Sequence, residues 1–359
     1  MRTFVRFFLL FVLLSVGYGQ KLTSEENELR QETCGKDMKL RSAYGRKVLK
    51  GVKSRIRDAP WNVALEVRNG KPGLCTGTII SLRHVITARH CFAEFKNGQY
   101  QWTTDGKPLP ECENEDSEDL VLERNFDEMF VVYPGVECGY RNHCNESEFR
   151  EIRIRKIFLP GNCDDPHNYN RVDDFAIVEL SENLNFNDKI RAICVAHEDE
   201  RLPKEGVKMR IYGYGLDPAA GRNSAGPLRF ESVNAKECSA TDRKAFCTRS
   251  VSGKQLACLG DSGGGMIRKI DERITLFGVL YQGDACRPNT ENGQDETVNV
   301  AFYSDKICGY TGVCAKVRYL TAKVSKENST LKREQKEEKK GSTVGTSILT
   351  LVLSLFLIQ

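Results

Sequence analysis

Fourteen cysteines in a chain of 359 residues limit what it can fold into more than any other feature. Disulfides persist in oxidising compartments, so this many cysteines imply a cross-linked extracellular framework rather than a cytosolic thiol protein. The N-terminus agrees. Arg2 and Arg6 flank the apolar residues 7–16, and Gly17-Tyr18-Gly19 follows, which is the pattern of a secretory signal peptide cut after Gly19. That stretch is shorter than the ~20 apolar residues a bilayer span needs. With residues 1–19 set aside, all fourteen cysteines stay in the mature chain.

Short β-branched or alternating runs recur at 63–67, 78–81, 85–87, 151–157, 175–180, 208–212 and 276–281, separated by turns. Long amphipathic helices are scarce, which gives an all-β class. A hydrophobic content of 40% is ample for a core. The net charge of +4 is mild, and no basic patch with interleaved aromatics appears, so nucleic acid is excluded as a partner.

The chemistry centres on Ala257-Cys258-Leu259-Gly260-Asp261-Ser262-Gly263-Gly264-Gly265. A serine on a glycine-rich turn can present its hydroxyl while nearby N–H groups face the same point, an arrangement suited to attack on a carbonyl. Such a serine needs a base, and the base needs an orienting carboxylate. Only five histidines are present: His84, His90, His143, His167 and His197. His90 lies in Thr87-Ala88-Arg89-His90-Cys91, and Asp174 opens Asp174-Phe175-Ala176-Ile177-Val178. In these three strings, in the order His, Asp, Ser, the chain resembles the chymotrypsin/trypsin family of serine peptidases over roughly residues 34–304.

That resemblance implies two antiparallel six-stranded β-barrels with the active site in the cleft between them. It implies His90 as base, Asp174 as its orienter and Ser262 as nucleophile, with the N–H groups of Gly260 and Ser262 as oxyanion hole and no metal or organic cofactor. Arg46-Lys47-Val48 and Pro60-Trp61-Asn62-Val63 resemble the family's activation region. Cleavage after Lys47 by an activating peptidase would free the Val48 ammonium to pair with Asp261. Lys50 replaces a glycine of the family there. The disulfides implied are Cys75–Cys91, Cys34–Cys194, Cys238–Cys247 and Cys258–Cys286; Cys308 and Cys314 are paired by closeness alone. Leu256, two residues before Cys258, falls at the base of the specificity pocket, with Gly283 on its wall. Leucine there implies preference for an aliphatic or aromatic residue before the cut, unless an acid such as Asp284 acts from the other wall. Protein or peptide substrates and protein inhibitors are the partners expected.

Three stretches depart from the family. Residues 92–170 read as an acidic, disulfide-pinned surface insertion or an acidic exosite. Its Cys112, Cys138, Cys144 and Cys163 allow three pairings, and Asn145 is a glycosylation acceptor. The family's Ser-Trp-Gly after the nucleophile is replaced by Tyr281-Gln282-Gly283, where the tyrosine either supports Asp174 or crowds it. A catalytically silent pseudopeptidase, binding through the same scaffold, is therefore the alternative. Finally, 321–340 is a charged linker, Asn328 is a second glycosylation acceptor, and the apolar 341–359 tail reads as a GPI signal, a marginal anchor or a secreted terminus. The expected order is signal peptide 1–19, pro-segment 20–47, peptidase domain 48–320, linker and tail.

Overall fold

A computed structural model describes residues 21–38, 40, 52–69, 73–112, 117–140, 149–164, 173–197, 203–217, 225–238, 243–251, 257–283 and 293–315. The chain divides into a compact unit, 1–314, and a second, 315–359, of which only Ala315 is among the described residues. The compact unit is nearly all strand. Helix α1 (Ser24–Thr33) comes first. Then follow β1 (Val52–Lys53), β2 (Asn62–Val67), β3 (Gly73–Ile79), β4 (His84–Thr87), β5 (Ala93–Lys96), β6 (Gln99–Trp102), β7 (Leu120–Glu123), β8 (Phe130–Pro134) and β9 (Ile154–Leu159). The second half holds β10 (Ala176–Leu180), β11 (Cys194–Val195), β12 (Lys208–Gly213), β13 (Arg229–Lys236), β14 (Ala245–Ser250), β15 (Gly265–Ile270), β16 (Arg273–Gln282) and β17 (Asp295–Asn299), before α2 (Ser304–Thr311).

Two curled sheets result. One runs β7-β9-β10-β4-β3-β2-β8, and the bridge Val132↔Ile152 joins β8 back to the approach to β9. The other runs β13-β12-β15-β16-β17-β14 and closes on itself through β13–β14, a six-stranded barrel. The fold is therefore the chymotrypsin-type pair of antiparallel barrels, with the first one curled from seven strands rather than six.

The extra strand comes from residues 92–170. This stretch is not an insertion lying wholly on the surface: it supplies β7, β8 and β9. Phe130-Val131-Val132-Tyr133-Pro134 is buried along its whole length, while β7 alternates buried Leu120 and Leu122 with exposed Val121 and Glu123. Phe126, Phe130, Phe92 and Trp102 cluster beneath it, with Phe92 edge-on to Phe130 at 4.8 Å. Full burial of such a side chain contributes about 1.5–3 kcal/mol. Cys112 pairs with Cys163, closing the stretch across 51 residues.

Trp61 and Tyr212 meet edge-to-face at 5.4 Å, both fully buried, and continue one apolar core from the first sheet into the face of the second. A separate core fills the closed barrel.

The leading segment packs on the body rather than trailing from it. Thr23 and Glu26 form a reciprocal capping box that starts α1. Glu26 then pairs with Arg83 at 2.6 Å, Leu22 N–H donates to the Thr311 carbonyl at 2.8 Å, and Gln31 reaches the Cys314 carbonyl. Cys34 bonds Cys194, and Arg273 donates to the carbonyls of Gln31 and Cys34. Cys308–Cys314 clips the end of α2. Among the described residues, no helix is long and apolar enough to cross a membrane.

Candidate active site

β4 ends at Thr87, and a single 3-10 turn, Arg89–Cys91, carries His90 out of the first sheet. β10 lies beside β4 with Ala176 opposite Thr87, so the residues just before β10 fall beside that turn. Asp174 there grips His90 twice: Oδ2 meets Nδ1 at 2.7 Å and Oδ1 accepts the His90 backbone N–H at 2.8 Å. A carboxylate on Nδ1 assigns the proton to that nitrogen and leaves Nε2 with its lone pair. Asp174 is buried, while the His90 side chain keeps 34% of its surface.

Burial alone would lower the imidazole's pKa, but the charge and hydrogen bond of Asp174 raise it above 6.5, against a smaller opposing effect of Arg89. Burial pushes the Asp174 carboxyl up, yet His90 and Arg89 hold it below 3.8. Arg89 is itself buried and lies over the Tyr100 ring at 4.8 Å. Asp173, next in the chain, is fixed by Lys244 at 2.9 Å and by the Tyr303 hydroxyl, and Tyr303 stacks on Phe175 at 4.6 Å. Asp174 is thus flanked on both sides by anchored neighbours.

Ser262 arrives from the second barrel, on the turn before β15. Its carbonyl accepts the Thr76 N–H at 2.8 Å. Thr76 follows Cys75, and Cys75 is bonded to Cys91, the neighbour of His90. Serine and histidine backbones are therefore tied to the two ends of one disulfide. Thr76 does more: its hydroxyl donates to the Gly260 carbonyl at 2.9 Å and accepts from Tyr214 N–H, and its own carbonyl accepts from the Thr87 hydroxyl. At Gly263, φ is +82°, and a Cβ would run into Thr87 and the Thr76 carbonyl, so only glycine fits. Among the described residues, no acceptor takes the N–H groups of Gly260 and Ser262, whereas those of Asp261, Gly263 and Gly264 are all bonded within the fold.

Asp261 turns its carboxylate inward, where it accepts the N–H of Gly215 at 2.8 Å and of Cys258 at 3.0 Å. Burial pushes its carboxyl up to about 6 despite those bonds and the charge of Arg229.

The remaining sequence-derived sites divide as follows. Cys34–Cys194, Cys75–Cys91, Cys238–Cys247 and Cys308–Cys314 are bonded pairs. Cys138 and Cys258 are also disulfide-bonded, while Cys144 and Cys286 lie outside the described residues. So do Lys47, Val48, Leu256, Asp284, Asn145, Asn328, His143 and His167. His84 is buried against Ser81 at 2.8 Å and burial drives its pKa to about 3, so it is a neutral structural histidine. The Tyr281 hydroxyl donates to Glu296 at 2.7 Å. Cys75, His90 and Cys91 hold ligand-type atoms within 4.8 Å, but both sulfurs are spent in their disulfide, so the cluster clips the histidine rather than offering thiolates. Thr76 and Asp173 escaped the sequence reading; both lie one residue from a recognised position, which is the signal that could have found them.

The family model described as "Nematode trypsin-6-like family" matches residues 3–314. The chain is 27% identical over 304 residues to the trypsin-like protease try-5 of Caenorhabditis elegans, covering 77% of this chain and 88% of that one. It is 25% identical to human transmembrane protease serine 11A over 304 residues (81% of this chain). With the CLIP domain-containing serine protease B4 of Anopheles gambiae it shares 23% over 258 residues (66% of this chain). The chain spans 62% and 63% of the length of these last two.

Proposed function

The chain belongs to the nematode trypsin-6-like family, and from that premise we propose that it is a secreted serine endopeptidase made as a zymogen. Ser262 Oγ attacks the scissile carbonyl, and His90 Nε2 takes its proton and returns it to the leaving amine. Asp174 keeps the proton on Nδ1 and stabilises the imidazolium. The N–H groups of Gly260 and Ser262 receive the oxyanion; losing one such donor typically costs about 10²–10³ in rate.

The observation that carries this reading is the double grip of Asp174 on His90, which fixes the base's tautomer while Thr76 holds the Ser262 turn one residue from the Cys75–Cys91 clip. Activation follows cleavage after Lys47, when the Val48 ammonium neutralises Asp261 beneath the oxyanion turn. An uncompensated buried carboxylate is costly, so the new pair locks that turn. The partners are protein substrates, an activating peptidase and protein inhibitors. The cysteine framework supports an extracellular setting, with or without a GPI-anchored tail.

The test is labelling of the cleaved chain with a serine-directed fluorophosphonate. Wild type should label and Ser262→Ala should not, and His90→Ala should label far more slowly. A cleaved wild-type chain that neither labels nor hydrolyses peptides would be the pseudopeptidase.

A further inference from the structure

The last turn of α1 holds a buried cation without a counter-ion. Arg30 lies there and is 7% exposed. Its Nε donates to Asn27 Oδ1 at 3.1 Å, the one bond its side chain makes among the described residues. Asn27 is a neutral amide and cannot offset the charge. It is also engaged with Cys314, giving Nδ2 to the Cys314 carbonyl and accepting the Cys314 N–H, both at 3.3 Å. Arg30 Nη1 is buried and bonded to nothing among the described residues. Buried polar atoms in native interiors are normally satisfied, and a guanidinium stays charged.

A second guanidinium sits against the same turn. Arg273, at the start of β16, donates through Nη1 to the carbonyls of Gln31 at 2.7 Å and Cys34 at 3.2 Å. Its Nε and Nη2 have no partner among the described residues. Nor does a described carboxylate pair with either arginine; Glu272, next to Arg273, pairs with Lys269 instead. Burial, and after it the charge of Arg273, press the Arg30 pKa down to about 10. The negative end of a helix amounts to about half a charge. That is too little for two guanidinium groups, and an uncompensated buried charge is costly.

We propose that Arg30 and Arg273 together form a binding site for a small tetrahedral oxyanion, sulfate or phosphate, which clamps the leading segment onto the body. A guanidinium presents its N–H groups in a fixed fork that matches the oxygens of such an ion. Arg30 Nη1 supplies the buried donor, and Arg273 Nε and Nη2 supply the open ones. The depth of Arg30 selects a small ion over a polymer chain. One arginine comes from α1 and the other from β16, so occupancy ties these two elements together beside the Cys34–Cys194 bond. The site shares no residue with the His90–Asp174–Ser262 constellation and does not depend on the serine-peptidase reading.

The test uses the uncut full chain. Sodium sulfate and sodium phosphate are titrated separately in the millimolar range, with ionic strength held by sodium chloride. Either ion should raise the wild-type melting temperature to a plateau, and titration calorimetry should count one ion per chain. Arg30→Gln and Arg273→Gln should each weaken that binding by about 10–100-fold, as expected for loss of one charged hydrogen-bonding group. Arg30→Lys, which keeps the charge without the fork, should fall between. Arg273 is half-buried, so Arg273→Gln keeps the test decisive if Arg30→Gln loses its cooperative melt. A rise shared equally by wild type and both variants is the general exclusion of such ions from protein surfaces, and it overturns the site. A wild-type chain that responds to neither ion overturns it as well.

Discussion

Replacing Asp261 with asparagine should stabilise the uncut chain at neutral pH and destabilise the cut one. Burial lifts the Asp261 carboxyl from 3.8 to about 6, only partly opposed by the N–H groups of Cys258 and Gly215 and by Arg229. A carboxyl that holds its proton more tightly when folded adds stability below about pH 3.8, and that stability is lost as pH rises through about 6. At about 1.4 kcal/mol per tenfold change in proton affinity, the rise from 3.8 to about 6 amounts to roughly 3 kcal/mol at most. Asparagine carries no charge but keeps an acceptor for only one of the two N–H groups, because Gly215 and Cys258 use different oxygens; its NH2 faces the other, at a cost of about 1 kcal/mol. The uncut Asp261→Asn chain should therefore exceed wild type by about 1–2 kcal/mol at about pH 7.5, with the gap closing as pH falls towards 4. Glu231 adds in the same direction: burial, with a smaller contribution from the Asp261 charge and against a hydrogen bond from Ser250, pushes its carboxyl up to about 7. On the proposed activation, cleavage frees a Val48 ammonium to pair with Asp261, and removing the charge from that pair should cost about 3–5 kcal/mol. Urea midpoints measured from about pH 4 to pH 8 on both forms of both proteins decide it. An uncut variant less stable than wild type at neutral pH, or a gap that ignores pH, would refute the reasoning.

Three further outcomes are expected. The acid limb of kcat/KM should fall at a pKa above 6.5, because His90 must be neutral to act and Asp174 raises its pKa; Asp174→Asn should move that limb to lower pH as well as slow turnover. Gly263→Ala should abolish labelling and lower the melting temperature, since a φ of +82° costs a non-glycine residue about 1–2 kcal/mol before its Cβ meets Thr87 and Thr76; an alanine variant melting like wild type would count against the described turn. Cys34→Ser/Cys194→Ser opens a 160-residue loop, worth up to about 5 kcal/mol in chain entropy. Even so, the cut chain should co-elute with residues 20–47 in non-denaturing size-exclusion chromatography, held by the Glu26–Arg83 and Arg273 contacts.

The sequence singles out His90, Asp174 and Ser262 because each lies in a short string whose local geometry is set by its neighbours, and the structure brings the first two into contact. The all-β class could be read from the short strand runs, and the double barrel only from the family resemblance. What escaped depended on pairing between distant segments. The acidic run around 111–128 masked the apolar 130–134 strand, which is buried on both faces and so shows no alternation. The capping box at Thr23 and Glu26 is local, but contacts with Arg83, Thr311 and Cys314, all distant in sequence, make its segment part of the body.

Thr76 joins the two halves of the molecule through a handful of atoms. Histidine and its carboxylate ride on one half and serine on the other, so their spacing is no property of either barrel. It is read at the seam, like the gap of a caliper whose jaws share one screw. Warming, pressure or denaturant that loosens the seam by a fraction of an ångström would silence the chemistry while both barrels still scatter light, exchange protons and melt as intact bodies. Inactivation would thus run ahead of unfolding, and the interval between the two would measure how tightly that screw is set.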